Sequence, residues 1–371
     1  MHTTLRPLSL PPRESSRAVA LLIGALLLLW PAHPVAQSPD RGSRPWLVGS
    51  AGASGWSVST LDSIVARADR LRPLSSLLMA HGDSLVVEWY APGQAADEPV
   101  NIKSASKTIL SALVGIAIRD GHLEGPEQPI GPFFPDILDG TAPDDSLKRA
   151  ITLGDLMTMR AGLESTSFGN YGLWVSTNNW VRDALDRPLV GSPGGRMIYS
   201  TGTSHLVAAI LEKATGRDLR GYAQERLFDP LGLQIGAWQE DPNGYRFGGN
   251  NLALTPRGLL RFGQLYLRGG WVTSEDGERV HVIPDGWVGE SWNVRVLRSY
   301  RGFRYGYFWW FEEFGGEPTF FAWGYGGQML FVVPSHDLVM VMTSSLTSRP
   351  DVSDHSGRLF RFCRQINRML G

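Results

Sequence analysis

Apolar residues along this chain follow one spacing at its ends and another through its middle. A helical period from about Thr60 to Ala68 gives way to two short β-rich runs, Ser76–Ala80 and Ser84–Tyr90. His81-Gly82-Asp83 between them is a hairpin signal. Helical spacing returns over Asn101–Gly115, with Ile109, Leu110, Leu113 and Val114 facing a core, and stops near Asp120-Gly121, where glycine suits a helix end. Gly125–Pro143 is dense in proline and glycine and predicts loops. Thr152-Leu-Gly-Asp155, ahead of Leu156, Met157 and Met159, predicts a capped helix with Thr152 as cap and Asp155 in the first turn. Phe168–Trp180 is aromatic and polar without a period, either a cleft wall or a packed loop. Further helices are predicted at Thr203–Thr215, at Leu219–Leu227 and from Thr255-Pro256, where cap and first-turn proline coincide. Strand character then resumes at Tyr305–Trp310, Thr319–Ala322, Gln328–Val333 and Leu338–Thr343, and an amphipathic helix closes the chain from about Ser356 to Leu370.

Strands at both chain ends around a helical middle predict an α+β fold: one antiparallel sheet built from both ends with flanking helices, plus an inserted α-helical domain. The expected sheet domain is 57–130 with 280–371, and the mainly helical domain 131–279. A site between them would occupy the seam. Ahead of both, residues 1–36 read as an export signal: Arg6, Arg13 and Arg17 precede an apolar run from Ala18 to Trp30, and Ala36 offers a small residue for cleavage. The run is too short to span a bilayer comfortably, so the expectation is release to the periplasm or medium without lasting membrane insertion. Residues 37–56 read as a linker.

Of 371 residues 43% are hydrophobic, enough for a large core. The net charge of −1 and the lack of a basic block argue against a nucleic-acid partner. The lone cysteine, Cys363, shares helical spacing with Leu359, Phe360 and Ile366 and reads as a packed core thiol. The eight histidines form no metal-binding spacing, and no cofactor is expected.

Ser104 and Lys107 lie three residues apart at the start of the predicted helix, hence on one face. The chain has only four lysines among 35 basic residues, and only Lys107 follows a serine at this interval. Chemistry that arginine cannot perform explains a lysine there: a buried amine gives up its proton and becomes a base for the serine hydroxyl, whereas guanidinium does not. Tyr199, ending the loop Pro193–Ile198, is either a buried core ring or a phenol that takes the Ser104 proton and passes it on. Ala322-Trp323-Gly324-Tyr325-Gly326-Gly327-Gln328 joins two predicted strands. It is either a tight aromatic-glycine turn or the segment whose backbone N–H joins that of Ser104 in holding an oxyanion. No Gly-x-Ser-x-Gly occurs, which argues against an α/β-hydrolase.

In order and rough spacing, Ser104-Ala-Ser-Lys107, Thr152–Leu163, Pro193-Gly-Gly with Tyr199-Ser-Thr201, Leu254–Arg257 and Trp323–Gln328 resemble the serine β-lactamase and penicillin-binding protein superfamily. The resemblance is to its class C-like branch, with the family VIII carboxylesterases and 6-aminohexanoate-dimer hydrolases, and it covers nearly all of the expected mature chain. It implies the β-lactamase/transpeptidase-like fold, Ser104 as acylated nucleophile, Lys107 as its activator and Tyr199 as general base and acid. It also implies the Tyr325 N–H as second oxyanion donor, in a cleft with Trp323, Gly324 and Thr201. Two departures stand out: Thr201 replaces the asparagine of the family's Tyr-x-Asn, and no cation accompanies Trp323-Gly324. Together these point to an exported serine hydrolase acting on a small ester or amide. A β-lactamase or D-Ala carboxypeptidase is the alternative within the superfamily, and a non-catalytic acyl-binding sensor the alternative outside enzymes.

Overall fold

Strands from opposite ends of the sequence lie side by side. The computed structural model describes residues 55–273, 277–299, 302–346 and 352–371. The expected export segment, 1–36, and all but the last two residues of the 37–56 linker lie outside the described residues. The strands are β1 (Leu74–His81), β2 (Ser84–Tyr90), β3 (Val100–Asn101), β4 (Ala253–Leu254), β5 (Trp271–Thr273), β6 (Arg279–His281), β7 (Arg304–Tyr305), β8 (Trp310–Phe314), β9 (Glu317–Gly324), β10 (Gln328–Val333) and β11 (Leu338–Ser344). Seven of them form one sheet in the order β2-β1-β11-β10-β9-β8-β7. The closure is antiparallel, with Leu78 opposite Val341 and Leu330 opposite both Val341 and Ala322.

Burial explains why the central strands read as unbroken apolar runs. Successive side chains on a strand point to opposite faces, and every residue of β10 and β11 is buried, so both faces are covered. Edge strand β2 alternates over its first four residues instead. Helix Val58–Ala68 packs on β1 and β2, helix Val352–Leu370 on β8 and on Val58–Ala68, and helix Pro256–Leu267 across β1, β10 and β11. The last of these comes close because Gly263 has no side chain: a Cβ there would stand 2.5 Å from Val339 and 2.6 Å from Leu330. At about 1.5–3 kcal/mol for each fully buried aliphatic side chain, this double-sided core is the dominant favourable contribution.

Three expectations change in detail. Tyr305–Trp310 is not one strand. β7 ends at Tyr305, Phe308 has φ 63°, and its N–H bonds Met157 O, so the chain turns before β8 begins. Gly306 lies so close to Ser291 O that a Cβ would stand 2.3 Å from it, an approach an extended strand does not make there. Leu219–Leu227 is α-helical only to Ala223 and continues as a π-helix over Gln224–Phe228. Ser104, finally, lies not on an α-helix but on a 3₁₀ turn, Lys103–Ser106, and the α-helix Lys107–Arg119 begins after it.

Candidate active site

The 3₁₀ turn explains how the serine is presented. Lys103 has φ 52°, and its N–H donates to Asn101 Oδ1 at 2.9 Å, a local bond that draws the backbone away from a regular helix. Such strain in a non-glycine residue persists only where the surroundings fix it. Ser106 Oγ donates to Lys103 O at 2.8 Å and closes the turn. Lys107 then opens the helix with its side chain in the interior, only 2% exposed.

Lys107 Nζ lies 3.3 Å from Ser104 Oγ and donates to Gly249 O at 2.7 Å. The same nitrogen stands 5.2 Å from the centroid of the Tyr199 ring. Burial strips the amine of water and lowers its pKa from 10.5 to about 7. Near neutral pH a large share of the amine is therefore uncharged, with a lone pair free to receive the Ser104 proton.

Tyr199 is held by a second strip of chain. Ser165 Oγ donates to Tyr199 O at 2.7 Å, the Thr166 N–H to Ser200 Oγ at 3.1 Å, and the Thr201 N–H to Ser167 Oγ at 2.8 Å. Three small hydroxyl residues thus run beside Tyr199-Ser200-Thr201 in register. Ser200 caps the helix Thr201–Thr215. On the sheet side Trp310 stacks on Tyr199, with centroids 6.1 Å apart, and Trp323 stands 5.7 Å from Trp310. Phe168, 64% exposed and with φ 57°, also stands 6.1 Å from Tyr199.

Gly324 ends β9 against the chain entering the Lys103–Ser106 turn: a Cβ there would lie 2.2 Å from Ile102 O. The requirement for glycine comes from this contact. Tyr325 follows it, with a side chain 63% exposed. Ser104, Lys107, Tyr199, Trp323 and Gly324 are thus linked through direct contacts and Trp310. Thr201 turns inward: it is buried, and its hydroxyl is bonded to Ser167 Oγ at 2.9 Å.

Four participants lie outside the sequence expectations. Gly249 supplies the carbonyl for Lys107, and a Cβ on it would stand 2.4 Å from Lys107 Cγ. Asn251 Oδ1 accepts from Lys103 Nζ and from Asn101 Nδ2, both at 3.0 Å. Burial lowers the Lys103 pKa as well. Asn250 Nδ2 donates to Tyr171 Oη at 2.9 Å. The run Gly248-Gly249-Asn250-Asn251 does carry a signal, four turn-forming residues in a largely helical stretch.

Residues 63–360 match the family described as Beta-lactamase. The 6-aminohexanoate-dimer hydrolase of Paenarthrobacter ureafaciens is 26% identical over 320 residues, which cover 80% of this chain and 78% of that one. Among solved structures, EstCE1, a hydrolase with promiscuous acyltransferase activity, superposes with a TM-score of 0.65 at 15% identity, covering 85% and 99% of the two chains. A penicillin-binding protein homologue from Caulobacter crescentus gives 0.64 at 16% identity, covering 83% and 97%. Both share this fold.

Proposed function

Because the chain belongs to the Beta-lactamase family and is a serine hydrolase, we propose that it cleaves small esters or amides through an acyl-enzyme on Ser104, after export from the cytoplasm. One observation carries the reading: a buried amine, brought down to about 7 by desolvation, stands 3.3 Å from a serine hydroxyl. Ser104 Oγ attacks the carbonyl carbon as Lys107 Nζ takes its proton. The oxygen that becomes negative is received by the N–H groups of Ser104 and Tyr325. The Tyr199 phenol relays a proton to the leaving group, and water then releases the acyl group.

Likeness to a 6-aminohexanoate-dimer hydrolase and to EstCE1 supports amide or ester chemistry. The cleft walls support an uncharged acyl group: Trp310 and Phe168 lie beside Tyr199, Trp323 lies beside Trp310, and Thr201, where a β-lactamase carries asparagine, is turned inward. Ser104→Ala is expected to abolish turnover of p-nitrophenyl butyrate, and mass spectrometry of the parent should trap a butyryl group on Ser104. Full activity in the variant would end the assignment. A chromogenic cephalosporin hydrolysed as fast as short esters would favour the β-lactamase reading, and a stoichiometric burst without steady state the sensor. Export is tested by fractionation and by sequencing the mature amino terminus, expected just after Ala36.

A further inference from the structure

A buried ionisable pair lies behind the site, unused by the steps above. His205, on helix Thr201–Thr215, and Asp241 have side chains shut off from solvent, with Nε2 3.0 Å from Asp241 Oδ2. Their partners fix the proton. The Gly248 N–H can only donate, and it meets His205 Nδ1 at 3.1 Å. Nδ1 is therefore the acceptor, and the ring proton sits on Nε2, donated to Asp241. Asp241 Oδ1 accepts from the N–H groups of Asn243 at 2.8 Å and Tyr245 at 2.9 Å. Trp174, Trp180 and Phe247 surround the imidazole, with centroids 5.9, 5.7 and 5.9 Å away.

Such a pair is a poor source of stability, since taking polar, ionisable groups out of water is costly and apolar side chains fill equal space at least as well. What it supplies is direction, because an imidazole nitrogen can hold a backbone N–H in place and an aromatic ring cannot. The backbone held here leads to Lys107. Ser204 Oγ donates to Gly248 O at 2.9 Å, and a Cβ on Gly248 would stand 2.4 Å from Ser204 O and 2.5 Å from the His205 Cα. Gly249, the next residue, presents the carbonyl that accepts from Lys107 Nζ and lies hard against the Lys107 side chain. Gly248-Gly249 is a strap with no slack between the helix and the lysine.

We propose that His205 is a positioning residue for Lys107: its Nδ1, on a ring bonded to Asp241 from the far side, fixes the Gly248 amide, and through it the Gly249 carbonyl that aims the lysine amine at Ser104. This rests on Lys107 serving Ser104, which Ser104→Ala and Lys107→Met test separately. If either keeps parent activity, the reading of the site itself fails; if both are inactive, the His205 variants judge the positioning role alone.

The test compares His205→Asn, His205→Gln and His205→Leu on p-nitrophenyl butyrate, with kcat, KM, pH profile and thermal melting for each. Asparagine places an amide oxygen where Nδ1 was, and so keeps an acceptor for Gly248 without reaching Asp241. Glutamine reaches Asp241 but offers Gly248 no acceptor at that position, and leucine offers neither. His205→Asn is expected to retain kcat within about threefold, and the other two to lose roughly 10²-fold in kcat with KM within about twofold. The groups facing the amine are Ser104, the Tyr199 ring and the Gly249 carbonyl. Once the strap loosens, water reaches the amine, and the acid limb of kcat should move to higher pH in the Gln and Leu variants. Parent kcat and parent pH profile in both Gln and Leu would overturn the proposal, as would an Asn variant that loses as much kcat as Leu. Should Leu fail to fold, Asn against Gln decides: Gln at parent kcat with Asn impaired would also overturn it.

Discussion

Lys107 makes a local sacrifice visible. Held uncharged in the interior, it forgoes the hydration an unfolded lysine enjoys, so the unfolded chain binds its proton at pH values where the folded chain does not. The folded-state pKa is lowered, and stability therefore rises as pH climbs from about 7 toward the ordinary 10.5. Lys107→Met should abolish esterase activity yet raise Tm at pH 7, and the gain should shrink as the pH is raised toward 10. Equal or lower Tm at pH 7 in the variant would contradict the desolvation cost. In the parent, kcat/KM should climb through an acid limb near pH 7. Phe168 belongs to the same scale: strained, exposed and beside Tyr199, it is placed to touch an acyl group. Phe168→Ala should lower kcat/KM for hexanoyl more than for acetyl esters, by roughly tenfold or less, and leave Tm within about a degree. That Ser104 and Lys107 would meet was legible in the sequence, because they stand three residues apart where a helix begins and lysine is rare here. Gly249 was not, since its partner lies 142 residues away and nothing local announces a carbonyl aimed at an amine.

Elements with strong local chemistry fell where the sequence placed them. Thr152 and Asp155 form the expected reciprocal box, with Thr152 Oγ1 accepting from the Asp155 N–H at 3.0 Å and Asp155 Oδ2 from the Thr152 N–H at 3.1 Å. Thr152→Ala should cost about 1 kcal/mol by urea unfolding while leaving kcat unchanged. β10 matches its predicted span, Gln328–Val333, because an apolar run ending in Phe331, Val332 and Val333 sits between Gly327 and Pro334. Tyr305–Trp310 misled because aromatic content mimics a strand; the bend there is imposed by Ser291 and Met157, contacts that no short window contains. Gly324 is where β9 meets the chain entering the Lys103–Ser106 turn. Gly324→Ala would drive a methyl into Ile102 O, so kcat should fall steeply while β9 itself persists by circular dichroism.

The seven-stranded sheet is joined from the two ends of the chain by β1 and β11, with Leu78 opposite Val341. The molecule's last helix buries Cys363 completely, and burial pushes the thiol pKa up. A thiol reagent should therefore ignore the native protein and report cooperative unfolding in urea, and fast labelling without denaturant would show that the core opens locally. The same long-range pairing orders events in time. Because β1 is completed only when β11 reaches it, a ribosome must finish almost the entire message before the Lys103–Ser106 turn has a completed sheet to lean on. Nascent chains stalled before Leu338 should be silent toward p-nitrophenyl butyrate, and activity should switch on only near the end of synthesis.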